Sequence, residues 1–135
     1  MKELANKFVA KGAIIRPANE NEILSAERQL GIKFSSEYRD FLSSFGILSY
    51  NSDEIYGLGV STDYYLNILN LLKEFKEYNV NIPNNYIPLL DIGDGQYYIY
   101  DNNDGKIYVW SASSNSIIKN KQNSLTEFLL DILEQ

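Results

Sequence analysis

Gln96-Tyr97-Tyr98-Ile99-Tyr100-Asp101, then Asn102-Asn103-Asp104-Gly105, then Lys106-Ile107-Tyr108-Val109-Trp110 is the stretch on which the fold turns. Two runs rich in aromatic and β-branched residues flank a segment that tolerates positive φ, which is the pattern of a hairpin. Upstream, Tyr86-Ile87-Pro88-Leu89-Leu90-Asp91-Ile92 reads as another strand, with Gly93-Asp94-Gly95 as its turn into the next. Downstream, a fourth strand falls around Ile117-Ile118, and Ser124 caps a closing helix whose Leu125, Phe128, Leu129 and Ile132 form an apolar stripe. Strands that succeed one another without intervening helices form an antiparallel meander, so the class is α+β rather than a parallel βαβ sheet.

Toward the N-terminus, Glu54 to Val60 reads as a strand in which Gly57 and Gly59 mark a bulge or a close backbone approach. Ser61 or Thr62 then caps a helix whose buried stripe is Tyr65, Ile68, Leu69, Leu72 and Phe75. Two shorter helices precede that strand. Asn19 caps the first, Glu22 completes a capping box, Ile23, Ala26 and Leu30 share a face, and Gly31 ends it. Ser35 caps the second, where Tyr38, Phe41, Leu42 and Phe45 recur at helical spacing up to Gly46. Residues 1–10 form a further short helix with Leu4, Phe8 and Val9 on its apolar side. The expected organisation is one domain over residues 1–135, without internal repeats or linkers.

A chain of 135 residues with 44% hydrophobic content can bury one continuous core. No apolar run approaches a membrane span, and the start, Met1-Lys2-Glu3-Leu4-Ala5-Asn6-Lys7-Phe8, lacks the apolar segment of a secretory signal, so a cytoplasmic protein is expected. Without cysteine, disulfides, thiolate metal sites and thiol nucleophiles are excluded. Without histidine, so are imidazole zinc sites and the commonest general base near neutral pH. Neither a metal nor a cofactor is expected. The net charge of −6 is concentrated: residues 41–105 carry two Lys/Arg against nine Asp/Glu, while the flanking segments are near balance. Such a block repels nucleic acid and anionic lipid and attracts a basic protein, although acidity also serves solubility alone.

The helix pair carries a family resemblance. Ile23, Glu27, Leu30-Gly31, Phe34, Glu37-Tyr38, Phe41-Leu42 and Phe45-Gly46 resemble the opening signature of the SUKH superfamily, the SMI/KNR cell-wall-regulator-like proteins. Ile87-Pro88-Leu89, Gly93-Asp94-Gly95, the tyrosine-rich strand ending at Asp101 and Gly105-Lys106-Ile107-Tyr108 are similar to its second half, so the resemblance spans residues 15–134. Phe34-Ser35 stands where the family usually has Leu-Pro, and Phe45-Gly46 where Asn-Gly is common; Phe34 still supplies an apolar staple and Ser35 a cap. The resemblance implies helices packed on a mostly antiparallel, twisted sheet of about four to six strands. It also implies no shared catalytic motif and, for small bacterial members, immunity against polymorphic or contact-dependent toxins that are often nucleases. Eukaryotic members of the family are regulatory scaffolds in cell-wall synthesis.

The residues expected to bind a partner are acidic and aromatic together: Asp53, Glu54 and Tyr56 at the first strand, Asp63 beside Tyr64, then Asp94, Tyr98, Tyr100, Asp101, Asp104, Tyr108 and Trp110, with Asp91 close by. Tyr and Trp offer large, rigid contact area, and carboxylates pair with the Arg and Lys that a nuclease needs for phosphate. Occupying that surface excludes substrate without any chemistry. Each residue also has a local explanation: aspartates suit turns, Asp63 suits the first turn of a helix, and one row of strand aromatics belongs in a core. Period-2 alternation separates Tyr97 and Ile99 from Tyr98 and Tyr100, and the second pair is expected to face outward. Asp101 to Gly105 departs from a calcium loop, because its fifth position is glycine, and Gly57-x-Gly59 lacks the rest of any phosphate-binding fingerprint. Asp91, Asp94 and Asp101 would act as acid and base only if the fold brought two of them together. Toxin-binding immunity is therefore the first expectation, a regulatory scaffold or interaction module the second, an enzyme the third; a monomer and a homodimer are both open.

Overall fold

A computed structural model describes residues 1–135. The chain opens with α1 (Lys2–Ala10), which buries Leu4, Ala5 and Phe8 while Val9 faces solvent, contrary to its expected place on the apolar side. A two-residue strand, β1 (Ile14–Ile15), leads into α2 (Glu20–Leu30) and α3 (Ser36–Ser44). These helices form as their caps dictate. The Asn19 side chain accepts from Glu22 N, the Glu22 carboxylate accepts from Asn19 N, Gly31 closes α2 in a left-handed cap, and Ser35 Oγ accepts from Tyr38 N. Tyr38, Phe41, Leu42 and Phe45 are all buried, the last two turns stacking Phe41 on Phe45 at 5.2 Å between ring centres. Glu27 ties the pair together by accepting from Phe34 N at 2.8 Å and pairing with Arg39 at 2.7 Å.

Next come β2 (Leu48–Tyr50) and β3 (Asp53–Ile55), followed by α4 (Ile68–Glu77). The strand expected over residues 54–60 is thus cut short. Beyond Tyr56 the backbone turns in to meet two other segments: a Cβ on Gly57 would lie 1.6 Å from Gly46 O, and one on Gly59 would lie 1.8 Å from Arg16 O. Gly57 N donates to Leu66 O and Ile68 N to Gly57 O, which pins residues 66–68 before any helix can begin. Asn67, rather than Ser61 or Thr62, is therefore the cap of α4, its side chain accepting from Leu69 N and donating to Val60 O. Tyr65, expected in the buried stripe, lies outside the helix and is exposed.

The last third is β4 (Tyr86–Gly93), β5 (Gln96–Asp101), β6 (Ile107–Ser111), β7 (Ser116–Gln122) and α5 (Leu125–Leu133), the helix capped by Ser124 as its sequence predicts. The architecture is α+β, with the antiparallel sheets ordered β1-β2-β3 and β4-β5-β6-β7. The larger sheet, with four strands, lies within the expected four to six; β1 and β2 of the smaller one are too short to show period-2 patterning. Tyr56 N donates to Leu89 O at 2.9 Å and so stitches β3 beside β4.

Helices cover both faces of the larger sheet. Tyr98 packs on Phe128 of α5 and Tyr100 on Tyr38 of α3, with ring centres 5.3 and 5.7 Å apart. On the opposite face Phe75 of α4 lies 5.2 Å from Tyr97 and 6.1 Å from Trp110. The expectation that Tyr98 and Tyr100 face outward is thus overturned: Tyr100 is buried, and Tyr98 and Tyr97 are both half-buried. Alternation separates the two rows correctly, but with a helix on each side neither row is free.

Candidate partner-binding surface

Alternation along β3 sends Glu54 and Tyr56 to one side and Asp53 to the other. The ring of Tyr56 is nearly covered, and Tyr97 is near enough to act on its ionisation. In the β4–β5 register Asp91 is opposite Tyr97, and the contact of Phe75 with Tyr97 seats α4 so that Glu74 comes beside the same two tyrosines. Glu54 completes the group and accepts a hydrogen bond from the Tyr65 hydroxyl, whose ring lies 4.8 Å from that of Tyr64. Burial, with Tyr97, Asp91, Glu74 and Glu54 adding to it, raises the pKa of Tyr56 well above the ordinary phenol value; burial, Asp91 and Glu74 raise that of Tyr97. The phenols stay neutral donors at the centre of a ring of carboxylates. No lysine or arginine neutralises that ring. The ion pairs of the molecule are Arg39 with Glu20 and with Glu27, on the far helices.

A second acidic and aromatic group sits at the β5–β6 turn, and its partners are internal. Asp101, almost fully buried, accepts from Asn103 N at 2.8 Å, and more weakly from Asp104 N and the Asn85 side chain, both at 3.4 Å. Asp104 accepts from Lys106 N at 2.8 Å and from the Tyr108 hydroxyl at 2.6 Å; that second bond is the main cause pushing the Tyr108 pKa up to about 12. Asn102 clasps the α2–α3 connection, accepting from Ser35 N and donating to Lys33 O, each at 2.8 Å. Tyr100 reaches the same place, its hydroxyl 2.7 Å from Ser35 Oγ and bonded to Glu37.

The sequence of the whole chain agrees with one family. The SMI1-KNR4 cell-wall family, SUKH_5, matches residues 1–134. The chain belongs to that family. A crystal structure of a protein from Pseudomonas syringae pv. tomato is similar over 100% of both chains, with a TM-score of 0.79 at 18% identity, a likeness of fold. Among curated proteins there is no match.

In this SUKH_5 chain the residues expected at a partner surface are scattered. Glu54 and Tyr56 join the unpaired carboxylate ring. Asp53 lies on the other side, lining a small cavity with Tyr98, Lys121 and Asp131, and the Lys121 ammonium sits 5.5 Å over the Tyr98 ring. Asp63 is exposed and hydrogen-bonded to Ser61, and Asp94 is exposed at the β4–β5 tip, where its φ of 55° is the left-handed conformation an aspartate tolerates. Trp110, Tyr100 and Asp101 are buried, so they are corrected from contact residues to structural ones; Asp104 and Tyr108 are bonded to each other. Sequence reasoning missed Glu74, Tyr97 and Tyr65. A usable signal existed for Glu74, which follows buried Leu71 by three positions and precedes buried Phe75, at the border of the apolar stripe. No three carboxylates come close enough to hold a metal ion, and no helix is long and apolar enough to cross a membrane.

Proposed function

We propose that this protein is an immunity protein that binds a cognate toxin and masks its active site with the surface around Glu54, Glu74 and Asp91. The observation that carries the reading is the ring of three carboxylates around two neutral phenols with no cation against it. Uncompensated charge of one sign around aromatic anchors suits a partner of opposite sign, and a nuclease toxin has such a surface where it takes phosphate. Family membership supports the same reading, since SUKH proteins generally serve in immunity and are generally not catalysts. Inhibition then needs no reaction: carboxylates occupy the arginines and lysines that would hold substrate.

The test is affinity capture of partners from the source organism at low and at high salt, followed by assay of any captured toxin domain for inhibition. A basic toxin domain should be retained at low salt, lost at high salt, and bound roughly 100-fold more weakly by Glu54→Lys/Glu74→Lys. Capture of neutral proteins that ignore salt and the substitutions would overturn the reading in favour of a regulatory scaffold.

A further inference from the structure

α4 has a second flank of opposite character. Between it, the α2–α3 connection and residues 80–84 runs a groove of about 900 Å³, at the upper end of ligand-site size. Leu30, Ile32, Leu69, Leu72, Val80 and Ile82 line it. Residues 41–105 hold only two cations, Lys73 and Lys76, and both stand on this groove, exposed, with Asp63 as the carboxylate of its lining. The remaining polar lining is largely amide: Gln29, Asn70, Asn81 and Asn84. Asn70, Asn81 and Asn84 make no side-chain hydrogen bond within the protein; Gln29 donates to Ser25.

Each of these features selects the occupant. Apolar walls call for apolar side chains, two ammonium groups in no ion pair, against the single carboxylate of Asp63, call for further carboxylate, and the free amides of Asn70, Asn81 and Asn84, each both donor and acceptor, match the donor and acceptor of a peptide bond. We infer that the groove is a docking site for an extended peptide segment of a partner protein, bearing apolar side chains together with Asp or Glu. The site is separate from the carboxylate ring and opposite in charge, and it stands whether or not that ring meets a toxin.

A phage-displayed library of random 12-residue peptides tests it, panned on the full-length protein and counter-selected on Lys73→Glu/Lys76→Glu, two exposed changes that leave the core intact. Surviving clones should share apolar residues and at least one Asp or Glu. The consensus, synthesised with a fluorescent label, should bind the unaltered protein at least 10-fold more tightly than the double variant and shift backbone NMR signals of α4 and residues 80–84. The inference fails if no clone survives counter-selection, if survivors lack acidic residues, or if the shifts map to Glu54 and Asp91 instead. It fails equally if the protein sediments as a dimer that Ile82→Asp dissociates, because a second copy would then fill the groove.

Discussion

The molecule contains two groups of tyrosines and carboxylates of nearly the same composition, and they do opposite things. At the β5–β6 turn Asp101, Asp104, Tyr100 and Tyr108 are bonded to one another, to turn amides or to the α2–α3 connection. Around Tyr56 and Tyr97, Glu54 meets only the Tyr65 hydroxyl and no charge, and Glu74 and Asp91 face no cation. Residue type therefore does not distinguish a structural acidic cluster from a proposed binding surface. What distinguishes them is how many donors the carboxylates already have: Glu54 and Asp91 accept one bond each, from the Tyr65 hydroxyl and from Gly93 N, and Glu74 none, whereas Asp101 accepts three and Asp104 two and has less left to offer another molecule.

The difference can be broken most forcefully at Asp101. Asp101→Ala removes the acceptor of the part-buried Asn103 and Asp104 amides and should lower unfolding free energy by roughly 1–2 kcal/mol in urea titration; a loss under about 0.5 kcal/mol would mean that the turn is not held this way. Beneath that turn the comparison sharpens to single hydroxyls. Tyr100 is bonded, whereas the Tyr38 hydroxyl, stacked under it, is buried without a partner. Tyr100→Phe should therefore cost about 1 kcal/mol, and Tyr38→Phe should stabilise by a similar amount, both read by thermal or chemical denaturation. Equal signs for the two would refute the contrast.

At the unpaired ring the expectation is near silence in stability. Glu74→Lys should leave unfolding free energy within about 0.5 kcal/mol or raise it slightly through lost repulsion, since Glu74 is exposed and makes neither a side-chain hydrogen bond nor an ion pair within the protein. A large loss would show this carboxylate to be structural after all. The smallest effect lies at alkaline pH. With a folded pKa of about 12 against an ordinary 10, Tyr108 contributes stability that is complete below pH 10 and vanishes as pH rises through 12. Tyr108→Phe should flatten that limb of the stability profile, and an unchanged limb would sever the bond to Asp104 from folding.

Much of the scaffold was legible because its signals are local. The Asn19–Glu22 box, the Ser35 and Ser124 caps and the meander turns are each written within four residues, and each formed where expected. Residues 46–67 were less legible. Gly57 and Gly59 were read as a bulge or a close backbone approach, and the second holds, but what they approach, Gly46 and Arg16, lies in other segments, and that contact ends the strand and delays α4 to Asn67. The proposed surface was legible in composition only: Glu54 and Tyr56 were singled out as acidic and aromatic neighbours, but Glu74 and Tyr97 join them through packing of α4 on β5, a long-range event with no local mark.

The Asn102 clasp also makes a clock. Ser35 N has as its acceptor a side chain 67 positions further along the chain, so its deuterium uptake reports detachment of the β5–β6 turn rather than fraying of α3. Closing a loop of that length costs about (3/2)RT ln n in chain entropy, which this one bond offsets only together with the packing of the strands on the helices. Exchange at this one amide faster than in the core of α3 would mark release of the turn as an early, local opening, and exchange as slow as the core would place the clasp in the unit that unfolds globally.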